Sequence, residues 1–483
     1  MPATSPDPRR WKALWIIAAA QFLVIMDTSI IGVALPDIQH ALGFSQADLS
    51  WVFNAYVVAF GGLLLLGGKL SDVYGPRRLF TAGFALLAGG SLVAGLADSA
   101  AVEIAGRAIQ GAAAALIAPA ALTLLMVLFA HDGRELTKAM GLFGAAAPAG
   151  GTAGVFLGGV LTDGLDWRWT LLINVPLALA VLVAAPRLLP AGPSRHGRID
   201  LAGAITATAG LAATVFAIVR ANEAGWGSAE TLLTLAGGVI ALAVFVAIQA
   251  KRRDPLMPLG VFGLPNLAAA NVVMALLGAA WIPMWFTANL WLQQVLGSGP
   301  FEAGAALLPM TILIMVVMIG VVARLIARYG VKVPMVAGLA ILTAGIALFV
   351  TVPSDGGGYA AAFLPASLIA ALGMSLTFIP AMMAAIGAAP PEQGGLASGI
   401  VNTTYQVGSA LGLAAITALS LASGADQLGN PAELTDGFHA AFLGAAGIAL
   451  AAGLIALATV RVPRAASEPV APAAAEPELT LAA

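Results

Sequence analysis

The chain has no cysteine, which rules out disulfides, thiolate metal sites and cysteine nucleophiles. Charge is also scarce: 10% of the residues are Asp, Glu, Lys or Arg, against 60% hydrophobic ones, too few to cover a water-soluble surface. His40, His131, His196 and His439 fall in or near loops and offer no metal cluster, so no metal site is expected. No phosphate-binding loop is present, because Leu63 stands where the first glycine before Gly68–Lys69 belongs; this argues against an ATP-driven pump. A membrane-embedded enzyme would need His, Asp or Glu clustered at one membrane face, and no such cluster occurs. No catalytic residue, organic cofactor or nucleic-acid partner is expected. A net charge of −2 says little by itself, since where the charges lie matters more than their sum.

Long apolar runs are abundant. Fourteen of them, each about 18–25 residues, match a hydrocarbon core roughly 30 Å thick crossed as helix. They fall near 12–35, 51–70, 79–98, 101–127, 138–162, 169–189, 201–220, 231–250, 267–292, 302–325, 332–352, 360–385, 396–420 and 438–460. The runs are continuous rather than alternating, so the expected fold is all-α and polytopic, not a barrel. The first run, starting near Trp11, is too long for the core of a cleaved signal and lacks a clear cleavage site; it is read as the first span. The 56 glycines suit close helix contact in lipid.

Positive charge falls on one side of these spans. Of the 22 Lys and Arg, 19 lie in the N-terminus, the C-terminal tail or alternate loops: Arg9, Arg10, Lys12; Lys69, Arg77, Arg78; Arg134, Lys138; Arg187, Arg195, Arg198; Lys251, Arg252, Arg253; Arg324, Arg328, Lys332; Arg461 and Arg464. The opposite loops hold Arg168 and Arg220, and Arg107 falls within a span. The bias places both termini in the cytoplasm and the protein in the cytoplasmic membrane.

Two Pro- and Gly-rich basic linkers, over 187–200 and 251–266, flank the seventh and eighth spans. The chain therefore divides into an N-terminal six-helix bundle (1–189), a linker with two inserted helices (190–266), a C-terminal six-helix bundle (267–462) and a disordered cytoplasmic tail (463–483). An internal repeat supports this. GKLSDVYGPRR follows the second span and ARLIARYGVK the tenth, with Leu325 matching Leu70 and Gly330 matching Gly75. Paired six-span halves are a plan of secondary transporters, with substrate held between them near the midplane.

Asp27, in FLVIMDTSIIGVALP, is read as the one acid deep in the apolar region; Glu103 and Glu302 are placed in the first turn of their spans. A carboxylate near the bilayer centre costs on the order of 2.5–3.5 kcal/mol, so it needs a partner or a task. Burial disfavours the charged form of a carboxyl and a nearby cation favours it, which suits a group that takes up and releases a proton. Arg107 is the natural partner: it lies about 9 Å below the outer surface and Asp27 about 13 Å below it, counted at 1.5 Å per residue. Gln110, one turn on, shares its face. A static ion pair holding the bundle together stands beside the proton-coupling reading.

In GKLSDVYGPRR, Gly75 makes the reversal and Arg77 and Arg78 hold the turn inside. Asp72 beside them is either an ordinary turn charge or a latch formed in one conformation. The fifth span carries small residues at helical spacing, including Gly150, Gly154, Gly158 and Gly159, around a kink at Pro148; a smooth bent helix at the contact between halves would permit sliding. Gln21, Asn54, Gln110, Asn174, Asn289, Gln293, Asn402 and Gln406, with Trp281 and Trp285, are the candidate lining of a cavity for bulky amphipathic molecules. In the alternative, Trp291 sits in the interfacial belt and the other aromatics face lipid.

Together these residues resemble the fourteen-span drug:proton antiporters of the major facilitator superfamily over nearly the whole chain. The matches are MDTSIIGVALP, GKLSDVYGPRR, RAIQG, WRWTLLINVP, RIDLAG and LWLQQVLG followed by FEAGAALLP, in that order. The resemblance implies two pseudo-symmetric bundles, an inserted pair, and alternating access coupled to inward proton flow. It also implies proton coupling at Asp27 and Arg107, gating at Gly68, Asp72, Gly75 and Arg78, and antiport through the fifth span. The sequence departs from the family pattern at Val73, where a base is usual, at Val155 after Gly154, where the kink moves to Pro148, and at Ala327, where the second-half acid would fall. Members that export dications use further membrane acids in later spans. None is found here, so neutral compounds, lipophilic monocations or natural-product antibiotics are the expected cargo. The expected protein is a monomeric exporter using protons as its coupling ion, with a proton-coupled importer on the same fold as the alternative; a periplasmic adaptor is left open.

Overall fold

Among the described residues, fourteen helices are long and apolar enough to cross a membrane, close to where hydropathy predicts them. The computed structural model describes residues 10–129, 133–192, 199–253, 255–264, 266–354, 358–387 and 394–461, and all of its regular elements are helical. The N-terminal half runs α1 Arg10–Val33, α2 Leu35–Leu42, α3 Trp51–Tyr74, α4 Pro76–Gly95, α5 Ala100–Phe129, α6 Gly133–Gly164, α7 Trp169–Leu172 and α8 Asn174–Leu188. The inserted pair is α9 Leu201–Ala224 and α10 Ala229–Lys251. Then come α11 Leu267–Leu290, α12 Pro300–Gly320, α13 Val322–Tyr329, α14 Lys332–Leu348, α15 Leu364–Ile386, α16 Gly394–Ala422 and α17 Pro431–Thr459. The expected tail and Arg9, Arg195, Arg198 and Arg464 lie outside the described residues.

An even number of crossings puts α1 and α17 ends on one face, here called the terminal face; the opposite one is the far face. Both halves turn on the repeat glycine. Gly75 has φ 90° and Gly330 φ 71°, values an L side chain rarely adopts, and Pro76 starts α4 where its missing N–H costs nothing. The tenth span stops earlier than expected. The chain breaks at Val321 (φ −116°), and Arg324 and Arg328 ride on the short helix α13 rather than in the apolar span.

Packing is by close backbone approach, as expected where lipid removes any apolar driving force between helices. Gly67 lies against the Ala115 carbonyl and Gly111 against that of Tyr56, locking α3 to α5. Gly408 and Gly412 do the same for α16 against Ala275 and Ala279 of α11. The halves meet along α6 with α12 and α3 with α16. The inserted helix α9 covers the α3–α16 seam, and α10 packs on α9 through Gly210 and Gly238. Their terminal-face ends are joined by Asp200. This buried carboxylate caps Gly203 N at 2.9 Å, accepts Gln249 Nε2 at 2.9 Å and pairs with Arg252 at 3.2 Å.

Candidate functional site

Asp27 sits within α1 with no exposure, although burying an unpaired carboxylate is prohibitive. Its Oδ2 accepts Arg107 Nη1 from α5 at 2.9 Å. Its Oδ1 accepts Gln110 Nε2 at 3.1 Å and Asn174 Nδ2, from α8, at 2.5 Å. Arg107 is likewise fully buried. Its Nε donates to the Val52 carbonyl at 3.0 Å, and its guanidinium lies 4.7 Å from the centre of the Tyr56 ring on α3, a cation–π contact. Gln110 is satisfied throughout: Oε1 accepts Arg107 at 2.7 Å, and Nε2 also donates to Ser91 Oγ of α4 at 2.8 Å. Matched depth alone brought Asp27 and Arg107 into register. The contributions of Ser91, Tyr56 and Asn174 depend on how α3, α4 and α8 pack around α1 and α5.

Glu103 stands in the first turn of α5, as expected, and is nevertheless fully buried, with no hydrogen-bond partner among the described residues for either carboxyl oxygen. Helical spacing held the signal, since residues 103 and 107 are one turn apart on one face of α5.

The glycine stripe of α6 also faces a partner other than the one expected. Gly150 lies against the carbonyl of Phe22 on α1, and a methyl group on Gly154 or Gly158 would come 2.8 Å from the Met26 carbonyl oxygen or 2.5 Å from that of Ile30. These residues match turn for turn along α1 on either side of Asp27. The contact with the other half is made by the neighbouring face, where a methyl on Gly159 would sit 2.8 Å from Phe301 Cα of α12 and one on Gly304 2.8 Å from the Val155 carbonyl. Pro148 stays inside the helix, its carbonyl accepting Thr152 Oγ1 at 3.0 Å. One helix thus touches the Asp27 helix on one side and the opposite half on the other.

The far face is sealed across the halves. Gln46 Nε2 donates to Gln294 Oε1 at 3.1 Å, Gln294 Nε2 to Gln39 Oε1 at 3.3 Å, and Gln293 Nε2 to the Val33 carbonyl at 2.9 Å. Behind them Phe53 stands edge-on to Trp285 at 5.6 Å and Phe286 at 5.8 Å, and Gly32 lies against the Trp285 ring. Gln293 and Trp285 thus take part in the closure between the halves. Gln39 and Gln46 went unnoticed because they lie in the short α2 segment and the turn after it, outside any span. At the terminal face, polar contacts within one half include Arg10–Glu135 at 2.7 Å, Arg77 to the Leu189 carbonyl at 3.1 Å and Lys332 to the Leu457 carbonyl at 2.8 Å. Asp72 and Arg78 are exposed there and form no hydrogen bond or ion pair among the described residues, so the latch is not made in this conformation. Gly68 lies near Pro119 of α5.

The remaining cavity candidates divide. Gln21 and Asn402 are half-buried, while Gln406 is buried at the α3–α16 seam against Gly61. Asn54 is fully buried with no partner for its amide. Asn289 is fully buried; its Nδ2 donates to the Trp285 carbonyl of its own helix at 2.9 Å, and its Oδ1 has no partner among the described residues. Trp281 is buried in the C-terminal core. Trp291 is buried too, stacked on Phe363 at 5.4 Å, so neither an interfacial belt nor a lipid-facing position describes these rings.

Residues 17–413, and again 284–482, match the Major Facilitator Superfamily. The chain belongs to that family. It is a multi-pass membrane transporter and not an enzyme. Among its curated relatives, a cephamycin export protein of Amycolatopsis lactamdurans is 40% identical over 94% of this chain and 93% of that protein. A puromycin resistance protein of Streptomyces alboniger is 37% identical over 94% and 91%. In fold, a POT family peptide transporter structure superposes with a TM-score of 0.68 at 16% identity, covering 94% of this chain and 98% of that one.

Proposed function

We propose that this superfamily transporter is a proton-coupled antiporter that exports bulky amphipathic compounds, antibiotics or toxic natural products among them, across the cytoplasmic membrane by alternating access. The observation that carries the reading is the fully buried Asp27–Arg107 pair, held by three donors beneath a closed far face. An acid so placed is tolerable if its charge changes hands during turnover, since a neutral carboxyl frees the guanidinium and the bundle can rearrange. Relatives named for export of, or resistance to, compounds as unlike as cephamycin and puromycin support a bulky-compound substrate class.

The positive-inside bias puts the terminal face in the cytoplasm, with both termini there. The far face is then outside, and the conformation described is closed to the outside. In the cycle, the outward-open form takes a proton onto Asp27, the protein turns inward, the proton leaves to the cytoplasm, and drug enters between the halves. The glycine face of α6 carries the movement of α1 to α12. Each charge moved draws about 2.3 kcal/mol per 100 mV of membrane potential. Protons are the only coupling ion and no organic cofactor takes part; the working unit is a monomer with a lipophilic or amphipathic small molecule as its partner in the bilayer.

Everted vesicles test this. Wild type should accumulate drug uphill when the lumen is acidic, and Asp27→Asn should lose all uphill accumulation while still binding drug and inserting normally. Uphill accumulation by Asp27→Asn would remove Asp27 from the mechanism, and net drug movement in the opposite direction would make the protein an importer.

A further inference from the structure

Arg107 stands between two carboxyls, and only one of them is engaged. Glu103, one turn earlier on α5, is completely buried, and both of its carboxyl oxygens lack partners. Arg107 Nη2 is also buried and unpartnered. Residues one helical turn apart are surface neighbours, roughly 5–6 Å between Cβ atoms, so the free donor and the free acceptor share one side of the helix. Glu103 lies three residues into α5 from the far face, and Arg107 about 6 Å deeper at 1.5 Å per residue. The charged groups acting on Glu103 are Arg107 and Asp27 inside the bundle and Arg168 at the far-face turn. Arg168 is itself engaged with Asp166 at 3.5 Å and the Ala97 carbonyl at 3.2 Å. One buried guanidinium balances one carboxylate; a second, without donors, would carry a desolvation penalty that nothing nearby repays.

We propose that Glu103 is a second proton-carrying group on the outer approach to Asp27, and that Arg107 exchanges between the two carboxyls during each cycle. The inference rests on the proton-coupled reading of Asp27. In the closed conformation Glu103 holds the proton and Asp27 holds the guanidinium. When the far face opens, the Glu103 O–H bond breaks and an O–H bond forms on Asp27, the proton crossing through admitted water. Arg107 turns its free Nη2 to the new Glu103 carboxylate, so the three groups carry the same net charge before and after. A proton from outside then refills Glu103, and Asp27 carries its proton inward.

The test uses the full-length protein in everted vesicles, with lumenal pH varied and the gradient held constant. Glu103→Gln should insert and bind drug normally, lose export by about 100-fold at neutral lumenal pH, the order a positioned proton donor contributes, and recover as the lumen is acidified. Export equal to wild type at every pH overturns the proposal, as does a loss by one constant factor, which marks a purely structural role. Asp27→Asn in the same vesicles separates the two readings. If it exports uphill, the proton-coupled reading of Asp27 fails and this inference with it; if it is inactive while Glu103→Gln matches wild type, this inference fails alone. Should Glu103→Gln not fold, infrared spectra of wild type grown with glutamate of heavy carboxyl carbon decide. A protonated-carboxyl band that moves with the label at neutral pH supports the proposal, and its absence sinks it.

Discussion

Both six-helix halves turn from their second to their third span on a glycine at positive φ, Gly75 and Gly330, and both clamp helices together through glycine. What they enclose differs. The N-terminal half buries Asp27, Glu103 and Arg107 with Ser91, Gln110 and Asn174 around them. Among the described residues of the C-terminal half, no Asp, Glu, Lys or Arg is buried. Its core is an aromatic run instead, with Trp291 stacked on Phe363 at 5.4 Å, Phe363 edge-on to Phe349 at 5.2 Å, and Phe349 stacked on Phe442 at 4.6 Å. One scaffold thus carries two interiors: a half with a buried charged cluster, and a half with an aromatic core. They touch where α1 meets α11, at Gly32 and Trp285, two turns or less from Asp27.

The sharpest way to break this contrast is to strand a charge in the first half. Arg107→Ala leaves Asp27 buried without its cation, and thermal unfolding in detergent should register a loss of about 3–5 kcal/mol. Adding Asp27→Asn removes the stranded charge and should recover most of that loss. A double variant no more stable than Arg107→Ala would mean the pair is not what Arg107 supports. Next in size is the α6 stripe. Gly154→Val pushes carbon against the Met26 carbonyl and Ser29 of α1, and overpacking of this kind costs about 1–3 kcal/mol. Gly141→Ala, on the same helix with nothing within 4 Å, should be neutral or slightly stabilising and serves as the control. Equal loss from both would point to a general intolerance of α6 rather than its contact with α1.

Much of this was legible because it depends on one residue or one period at a time. Span lengths follow from the hydrocarbon thickness, and the Asp27–Arg107 contact from depth counted along two helices. The place of Glu103 in the first turn of its span was legible too, but its full burial was not, since burial depends on neighbouring helices that no single helix reveals. The α6 glycines show the same limit from another side, since their spacing announces a close partner without saying whether it is α1 or α12. Asn289 is polar and mid-membrane, as cavity residues are, yet its amide N–H turns back to the Trp285 carbonyl of its own helix and its Oδ1 has no partner among the described residues, which spacing alone does not show. Asp72 marks a further limit: it is exposed and, among the described residues, unpaired in this conformation, and whether another conformation pairs it cannot be read from a sequence that all conformations share.

The smallest expected effect concerns that last point. The glutamine contacts at the far face, Gln294 with Gln46 and Gln39, join the two unlike halves where neither charge nor aromatic packing alone would fix them. They are neutral hydrogen bonds near water, each worth about 0.5–1.5 kcal/mol net. Gln294→Ala should therefore leave insertion and thermal stability near wild type while moving the balance between closed and open far faces by up to about tenfold, since 1.4 kcal/mol is a factor of ten. A cysteine pair introduced at Asp163 and Gly299 reads this directly, because the chain has no native cysteine to compete and a Cβ on Gly299 would lie 3.9 Å from the Asp163 carboxylate across the halves in the closed form. Cross-linking should slow in the Gln294→Ala background and not in Asn289→Ala, whose amide bonds within its own helix. Equal slowing in both would show that the seal is held by the general packing of α11 and not by its glutamine end.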